Sequence, residues 1–422
     1  MTEATDLITV NGERLWQSLA ELAKIGAYVD ERTGLTGVNR QTLTDEEAHG
    51  RRLVMSWMEE AGLELRIDQV GNVWGRREGT DRDAAPVVMG SHIDSVATAG
   101  MFDGCLGVLG GIEVIRTLNE RGITTQRPIE VAFFTDEEGA RFGVDMLGSS
   151  VVAGRIDLQD ALALTARDGS TLAGELERHG FNGPVSTTLE QVPHAYVECH
   201  IEQGPVLAAE GLELGVVTGV QGIYWQEITI LGRAAHAGTT PTQLRIDAGL
   251  AASMAVVRLR EMAESGEYGS MRSTVGRMEF APGLTNIVPN RAVFTVDMRN
   301  PDDEAMARAD ADFAAFLAEL EERWPGLSIT RRQLAKTVHV PFDPEIQKAI
   351  TQTIEDFGYS HMSLLSGAGH DAQEMALICP VAMIFIPGEY DGISHNPREY
   401  STPEACTRGI SALATTVARL AG

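Results

Sequence analysis

Short, largely apolar runs recur along the chain, and each ends where a histidine or a carboxylate begins. Residues 86–90 (PVVMG), 129–135 (IEVAFFT), 195–199 (AYVEC) and 381–387 (VAMIFIP) are runs of this kind. Apolar character on both faces over so short a length predicts buried strands of a parallel sheet. Helical spacing alternates with these runs. Leu15, Leu19, Leu22 and Ala23 mark an amphipathic helix within Leu7–Tyr28. Thr44 followed by Glu47 forms a capping box that starts a helix running to about Glu60 and stopping at Gly62. Leu63–Gln69 and Gly71–Gly75 read as two antiparallel strands. Gly104–Leu118, Glu345–Phe357 and Glu404–Leu420 read as helices, and Arg141–Val192 as helices with loops.

The pattern changes at about Leu214. Val216–Gly222, Trp225–Leu231 and Arg291–Arg299 read as strands, while Ala248–Ala263 and Glu304–Trp324 read as helices. That order describes helices layered on one antiparallel sheet. From about Thr337 the earlier style resumes. The chain is therefore expected to form an α/β domain from residues 1–213 and 335–422, interrupted by an inserted α+β sandwich at 214–334. A length of 422 residues suits two domains.

Charge narrows the partners. With 34 basic and 60 acidic residues the net charge is −26, which argues against nucleic acid or an anionic membrane surface. An anionic substrate would need locally placed arginines. No run approaches the roughly 18 apolar residues of a membrane span. The opening MTEATDLITV lacks a basic stretch and a long apolar run, so a cytoplasmic protein is expected. Cys105, Cys199, Cys379 and Cys406 are scattered, as suits free buried thiols.

Candidate chemistry sits at the strand exits, where open α/β sheets bind ligands. The first run leads to His92, Asp94, Asp103 and Gly104; the second to Asp136, Glu137, Glu138 and Gly139. The third leads to His200, Glu202 and Gly204, and the fourth to Gly392 and His395. Period-two geometry puts Asp94 on the face of His92, where its carboxylate can fix the imidazole tautomer. Adjacent Glu137 and Glu138 point apart, so one can ligate a metal while the other faces water. Any one of these residues would pass for a solvated loop charge. That reading does not explain four repetitions.

The motifs GSHIDSV, GMFDG, TDEEG, HIEQG, AAHAGTTP, TNIVPNR, SGAGHD and DGISHNP resemble the hydantoinase/carbamoylase branch of the M20-type dinuclear metallopeptidases and amidohydrolases. The resemblance spans nearly the whole chain in the family's order. It implies a zinc-aminopeptidase-like catalytic domain whose inserted domain serves as lid and dimerisation surface. It further implies two divalent ions (zinc, or manganese, cobalt or nickel) held by His92, Asp103, Glu138, His200 and His395. Asp103 would bridge them, with His92 and His200 on one ion and Glu138 and His395 on the other. Glu137 would be the proton shuttle. His236 would stabilise the oxyanion from the partner subunit of a homodimer. Asn286 and Arg299 would bind substrate, Arg299 as a fork on its carboxylate. Gln203 and Gly367, with Gly369, are further contact candidates, and His370 a supporting residue.

The activity expected from this resemblance is hydrolysis of N-carbamoyl-L-amino acids to amino acid, ammonia and carbon dioxide. Allantoate hydrolysis uses the same chemistry and is the alternative. Residues 219–225 (GVQGIYW) resemble the carbamoylase pattern, since Ile223 and Tyr224 supply no positive charge there. A metallo-exopeptidase or deacylase is a further possibility, because fold does not decide substrate. A non-catalytic binding protein ranks last, since all five ligand positions and Glu137 are present.

Overall fold

A computed structural model describes residues 7–422. The chain divides into two compact units, one made of the described residues up to Gly219 with Pro341–Gly422, the other of Val220–Val340.

A nine-stranded mixed sheet organises the larger unit. Val381–Ile386, Ala195–Ile201, Val87–His92 and Ile129–Phe134 lie side by side and parallel at its centre. Every residue in these four strands is buried, which is why they read as unbroken apolar runs rather than alternating ones. Being parallel neighbours, they release their four following loops at one edge. Val73–Arg77 and Glu64–Ile67 extend the sheet antiparallel on one side.

On the other side Leu214–Val220 pairs antiparallel with Val381–Ile386. The apolar run expected to open the inserted domain is therefore a strand of the large sheet. A buried strand carries no mark of which sheet it joins. The unit boundary falls accordingly at 219/220 rather than 213/214.

Helix Cys105–Glu120 packs on the sheet and is itself covered by Gly12–Leu22 and Pro403–Leu420. It is buried on nearly every side and mostly apolar, apart from Glu113, Arg116 and its last turn. Gly110 makes this possible: a Cβ there would lie 2.2 Å from Ile410 Cδ1. Helix Asp45–Glu60 begins as the capping box predicts, with Thr44 Oγ1 accepting from Glu47 N. The Glu47 carboxylate reaches Leu43 N rather than the cap residue's own amide.

The smaller unit is a five-stranded antiparallel sheet backed by helices Ala248–Glu264 and Asp303–Arg323. Strand Arg291–Asn300 shows the period-two rule directly. Ala292, Phe294, Val296 and Met298 enter the core beneath the helices, which places Asp297 and Arg299 on the opposite face. Among the described residues no helix is long and apolar enough to cross a membrane.

Candidate metal centre

Four loops from the parallel strand ends assemble one polar cluster. His92 and His200 are near the ends of their strands, so the sheet sets their positions. His92 Nδ1 lies 3.0 Å from the Asp94 carbonyl oxygen and His200 Nδ1 2.9 Å from that of Ile201. Backbone carbonyls only accept, so each Nδ1 carries a proton and each Nε2 turns to the cluster, where the neutral ring offers a lone pair. The Asp94 carboxylate is thus not what orients His92. It sits 3.8 Å from Nδ1 and instead receives the amides of Glu137 and Glu138 at 3.3 and 3.4 Å.

Asp103 stands between two groups. Its Oδ1 is 3.6 Å from His92 Nε2 and 3.2 Å from His200 Nε2. Its Oδ2 is 3.4 Å from His395 Nε2, which is 3.2 Å from Glu138 Oε2. One carboxylate therefore offers an oxygen to each side. Gly104 permits this approach. A Cβ there would fall 2.4 Å from the His92 ring, and its φ is 65°, a region few side chains tolerate. Glu137 Oε2 lies 3.3 Å from His92 Nε2, beside the cluster.

The donors fit divalent cations. Imidazole nitrogens with carboxylate oxygens suit zinc and its neighbours. Glu138 Oε1 is buried without a hydrogen-bond partner, a costly state unless a cation faces it. The electrostatics agree. Burial alone would raise the Asp103 carboxyl, yet the facing imidazoles of His200, His395 and His92 hold it well below its ordinary range. Burial alone would lower His92, but the charge on Glu137 and the nearby carboxylate of Asp103 hold it well above its ordinary range. His395 is pushed up to about 10 by hydrogen bonds to Asp103 and Glu138. Such a field demands positive charge at its centre. Burial also lifts the Glu137 carboxyl well above its usual range, with the charges of Asp371, Glu138 and Asp103 adding to the effect.

Several described non-glycine residues hold a positive φ, among them three at the cluster. Asp136, Gln203 and His395 have φ of 57°, 53° and 54°, which costs each about 1–3 kcal/mol where the surroundings impose it. All three lie in the cluster's loops.

Gln203 differs from expectation. Its amide nitrogen is spent on Asp103 Oδ2 at 2.7 Å, leaving Oε1 buried and unpaired as the atom able to meet a substrate donor. Gly367 lies in the turn between Ser366 and His370, where Ser366 Oγ is 2.8 Å from His370 Nε2. The His370 ring meets that of His200 edge-on, with centroids 4.6 Å apart, so this turn packs against His200. Glu198, His200 and His370 form a further carboxylate–imidazole group. His200 turns its Nε2 to Asp103, however, and Glu198 is engaged by Ser91, Tyr196 and the amide of Ala372.

His236 and Asn286 belong to the smaller unit, brought together by the short ladder of Ala235–His236 with Ile287–Val288. His236 Nδ1 accepts from the amides of Gly238 and Thr239 at 3.0 and 3.2 Å. The proton of the neutral ring is therefore on exposed Nε2. Arg299 sits on the open face of the sheet, its guanidinium forked on Asp297 at 2.9–3.2 Å. Tyr224 enters the core, and Lys336 lies 4.4 Å over its ring, so an uncharged pair at 223–224 does not make that neighbourhood free of positive charge. Ser394 and Glu399, which hold Asp103, carried no signal of spacing or periodicity.

Residues 88–419 match the sequence profile of peptidase family M20/M25/M40. The chain belongs to this family. It is 43% identical over 404 residues to the N-carbamoyl-L-amino-acid amidohydrolase of Rhizobium meliloti, covering 96% of this chain and 95% of that one. A hydantoinase/carbamoylase family amidase from Burkholderia multivorans superposes with a TM-score of 0.92 at 44% identity, covering 98% of each chain. The allantoate amidohydrolase of Bacillus subtilis is 32% identical, with 95% of each chain covered. The ureidoglycolate hydrolase of Arabidopsis thaliana is 35% identical, covering 91% of this M20 chain and 82% of its own.

Proposed function

We propose that this M20 hydrolase cleaves the ureido C–N bond of N-carbamoyl-L-amino acids, releasing L-amino acid, ammonia and carbon dioxide. The observation that carries the reaction class is Asp103, with one oxygen facing His92 and His200, the other facing His395 near Glu138, and Glu137 alongside. Two divalent ions held there would supply Lewis acidity and a water acidic enough to yield hydroxide near neutral pH. Glu137 accepts the proton of the attacking water and passes it to the leaving nitrogen. The unpaired Gln203 Oε1 accepts a hydrogen bond from the ureido nitrogen. His236, its Nε2–H fixed by the loop amides, donates to the developing oxyanion. Asn286 positions the substrate, and Arg299 takes its carboxylate in competition with Asp297. Likeness over nearly the full length to the Rhizobium meliloti enzyme supports the carbamoyl substrate.

Ammonia release from a panel of substrates tests this reading. Turnover is expected with N-carbamoyl-L-amino acids and not with their D-enantiomers, N-acetyl amino acids or dipeptides. Activity confined to allantoate or ureidoglycolate would move the assignment to those substrates. Acyl or peptide cleavage without ureido turnover would refute it.

The functional unit we propose is a homodimer in which His236 serves the partner's site. Leu250 and Val257 are exposed on one face of helix Ala248–Glu264, two turns apart, apolar positions that a second copy could cover. Mixing Glu137→Gln and His236→Ala protomers under subunit exchange should restore about a quarter of wild-type activity, since half the dimers carry one intact site. Failure of the mixture to recover activity would show that His236 acts within its own chain or not at all. Four buried free thiols fit a reducing, cytoplasmic location.

A further inference from the structure

One buried carboxylate has no task in the reaction above. Glu399 is 6% exposed, and its Oε1 accepts from the amides of Phe102 and Asp103 at 2.9 and 3.1 Å. Its Oε2 lies 2.7 Å from Ser394 Oγ, and the same hydroxyl lies 2.8 Å from Asp103 Oδ2. A serine hydroxyl has one proton, so the two carboxylates are coupled through it. Glu399 presses so closely on the Asp103 loop that a Cβ on Gly100 would lie 2.5 Å from its own Cβ. Thr98 Oγ1 adds a bond to the His395 carbonyl oxygen at 3.1 Å. The aromatic rings of Phe102 and Tyr400 pack edge-on with centroids 5.9 Å apart. The loop bearing Asp103 and the loop bearing His395 are thus fastened together across a sequence separation of 291 residues.

The fastening is one-sided. His92 and His200 are set by sheet strands and by backbone carbonyls on their Nδ1 atoms. His395 belongs to a loop and holds a φ of 54°, and every Ser394 and Glu399 contact to Asp103 runs to its amide or to Oδ2, the oxygen facing His395.

We propose that Glu399 is a positioning residue: through Ser394 and the Asp103 amide it fixes Asp103 Oδ2 against His395, and so selectively supports the ion held by Asp103, Glu138 and His395. This rests on the two-ion reading of the site. Groups that orient metal ligands typically contribute about 10–100-fold in affinity. Glu399→Ala is therefore expected to weaken one of two sites by at least about tenfold while the other changes little. Glu399→Gln keeps an acceptor for both amides and should lose less.

The test is calorimetric titration of metal-stripped protein with Mn²⁺ and Zn²⁺, with bound metal measured directly after dialysis. Selective loss of one ion from Glu399→Ala, with partial retention in Glu399→Gln, supports the proposal. Equal weakening of both sites, or two unchanged sites, overturns it. Should Glu399→Ala fail to fold, Ser394→Ala removes only the hydroxyl link and must show the same one-sided loss, or the proposal fails. A wild-type protein that binds a single ion overturns the two-ion reading and this proposal together. Two ions in the wild type with no selective loss in the variants overturn the positioning role alone.

Discussion

Replacing Glu137 with glutamine should lower kcat by roughly 10²–10⁴-fold, the usual contribution of a positioned acid–base group, while leaving bound metal nearly unchanged. Glutamine preserves the size of the side chain but cannot take a proton from water. Glu137 lies 3.3 Å from His92 Nε2 and outside both groups arranged around Asp103, so the ligand set survives the change. Stability should not fall. A carboxylate that burial pushes well above its ordinary range is costly to keep charged, and a neutral amide removes that cost. Steady-state kinetics beside metal content and a thermal melt separate the outcomes. A variant that loses its metal, or that retains more than a tenth of wild-type kcat, would remove Glu137 from the shuttle role.

Stripping the metal should abolish turnover, and adding back Zn²⁺, Mn²⁺ or Co²⁺ should restore it. Without ions the cluster holds Asp103, Glu137 and Glu138 in a buried space with only imidazoles to balance them. Protonated imidazoles can satisfy that field, as the raised His92 and His395 show, but they polarise no carbonyl and acidify no water. Dialysis against a chelator followed by assay with and without each metal decides the matter. Full activity in demonstrably metal-free protein would refute the metal centre outright.

The centre of the fold was legible because burial leaves a simple trace. The runs at 86–90, 129–135, 195–199 and 381–387 are apolar since their strands are covered on both faces. Their shared exit edge then follows from being parallel. Periphery was less legible. Strand Ser328–Thr337 carries Arg331, Arg332 and Lys336 and is largely exposed, so it shows neither apolar run nor alternation. Arg272–Thr274 and Met278–Ala281 are too short to show a period. The candidate ligands came from motifs, and what motifs could not supply was the division of labour among neighbours. Asp94 looked like the partner of His92, yet its carbonyl does that work and its carboxylate holds the Glu137–Glu138 amides. Gln203 looked free for substrate, yet half of its amide is committed to Asp103. These are matters of which atom points where, and residue type alone does not encode them.

The placement of strand Val381–Ile386 also bears on biosynthesis. It is made after both of its sheet neighbours, yet it lies inside the sheet, paired with Ala195–Ile201 on one side and Leu214–Val220 on the other. Until it arrives, the nascent chain presents two open, apolar strand edges whose amides and carbonyls have no partner, the kind of surface that recruits other chains. A chain truncated between Val220 and Val381 would therefore be an aggregation-prone polypeptide rather than a smaller working enzyme.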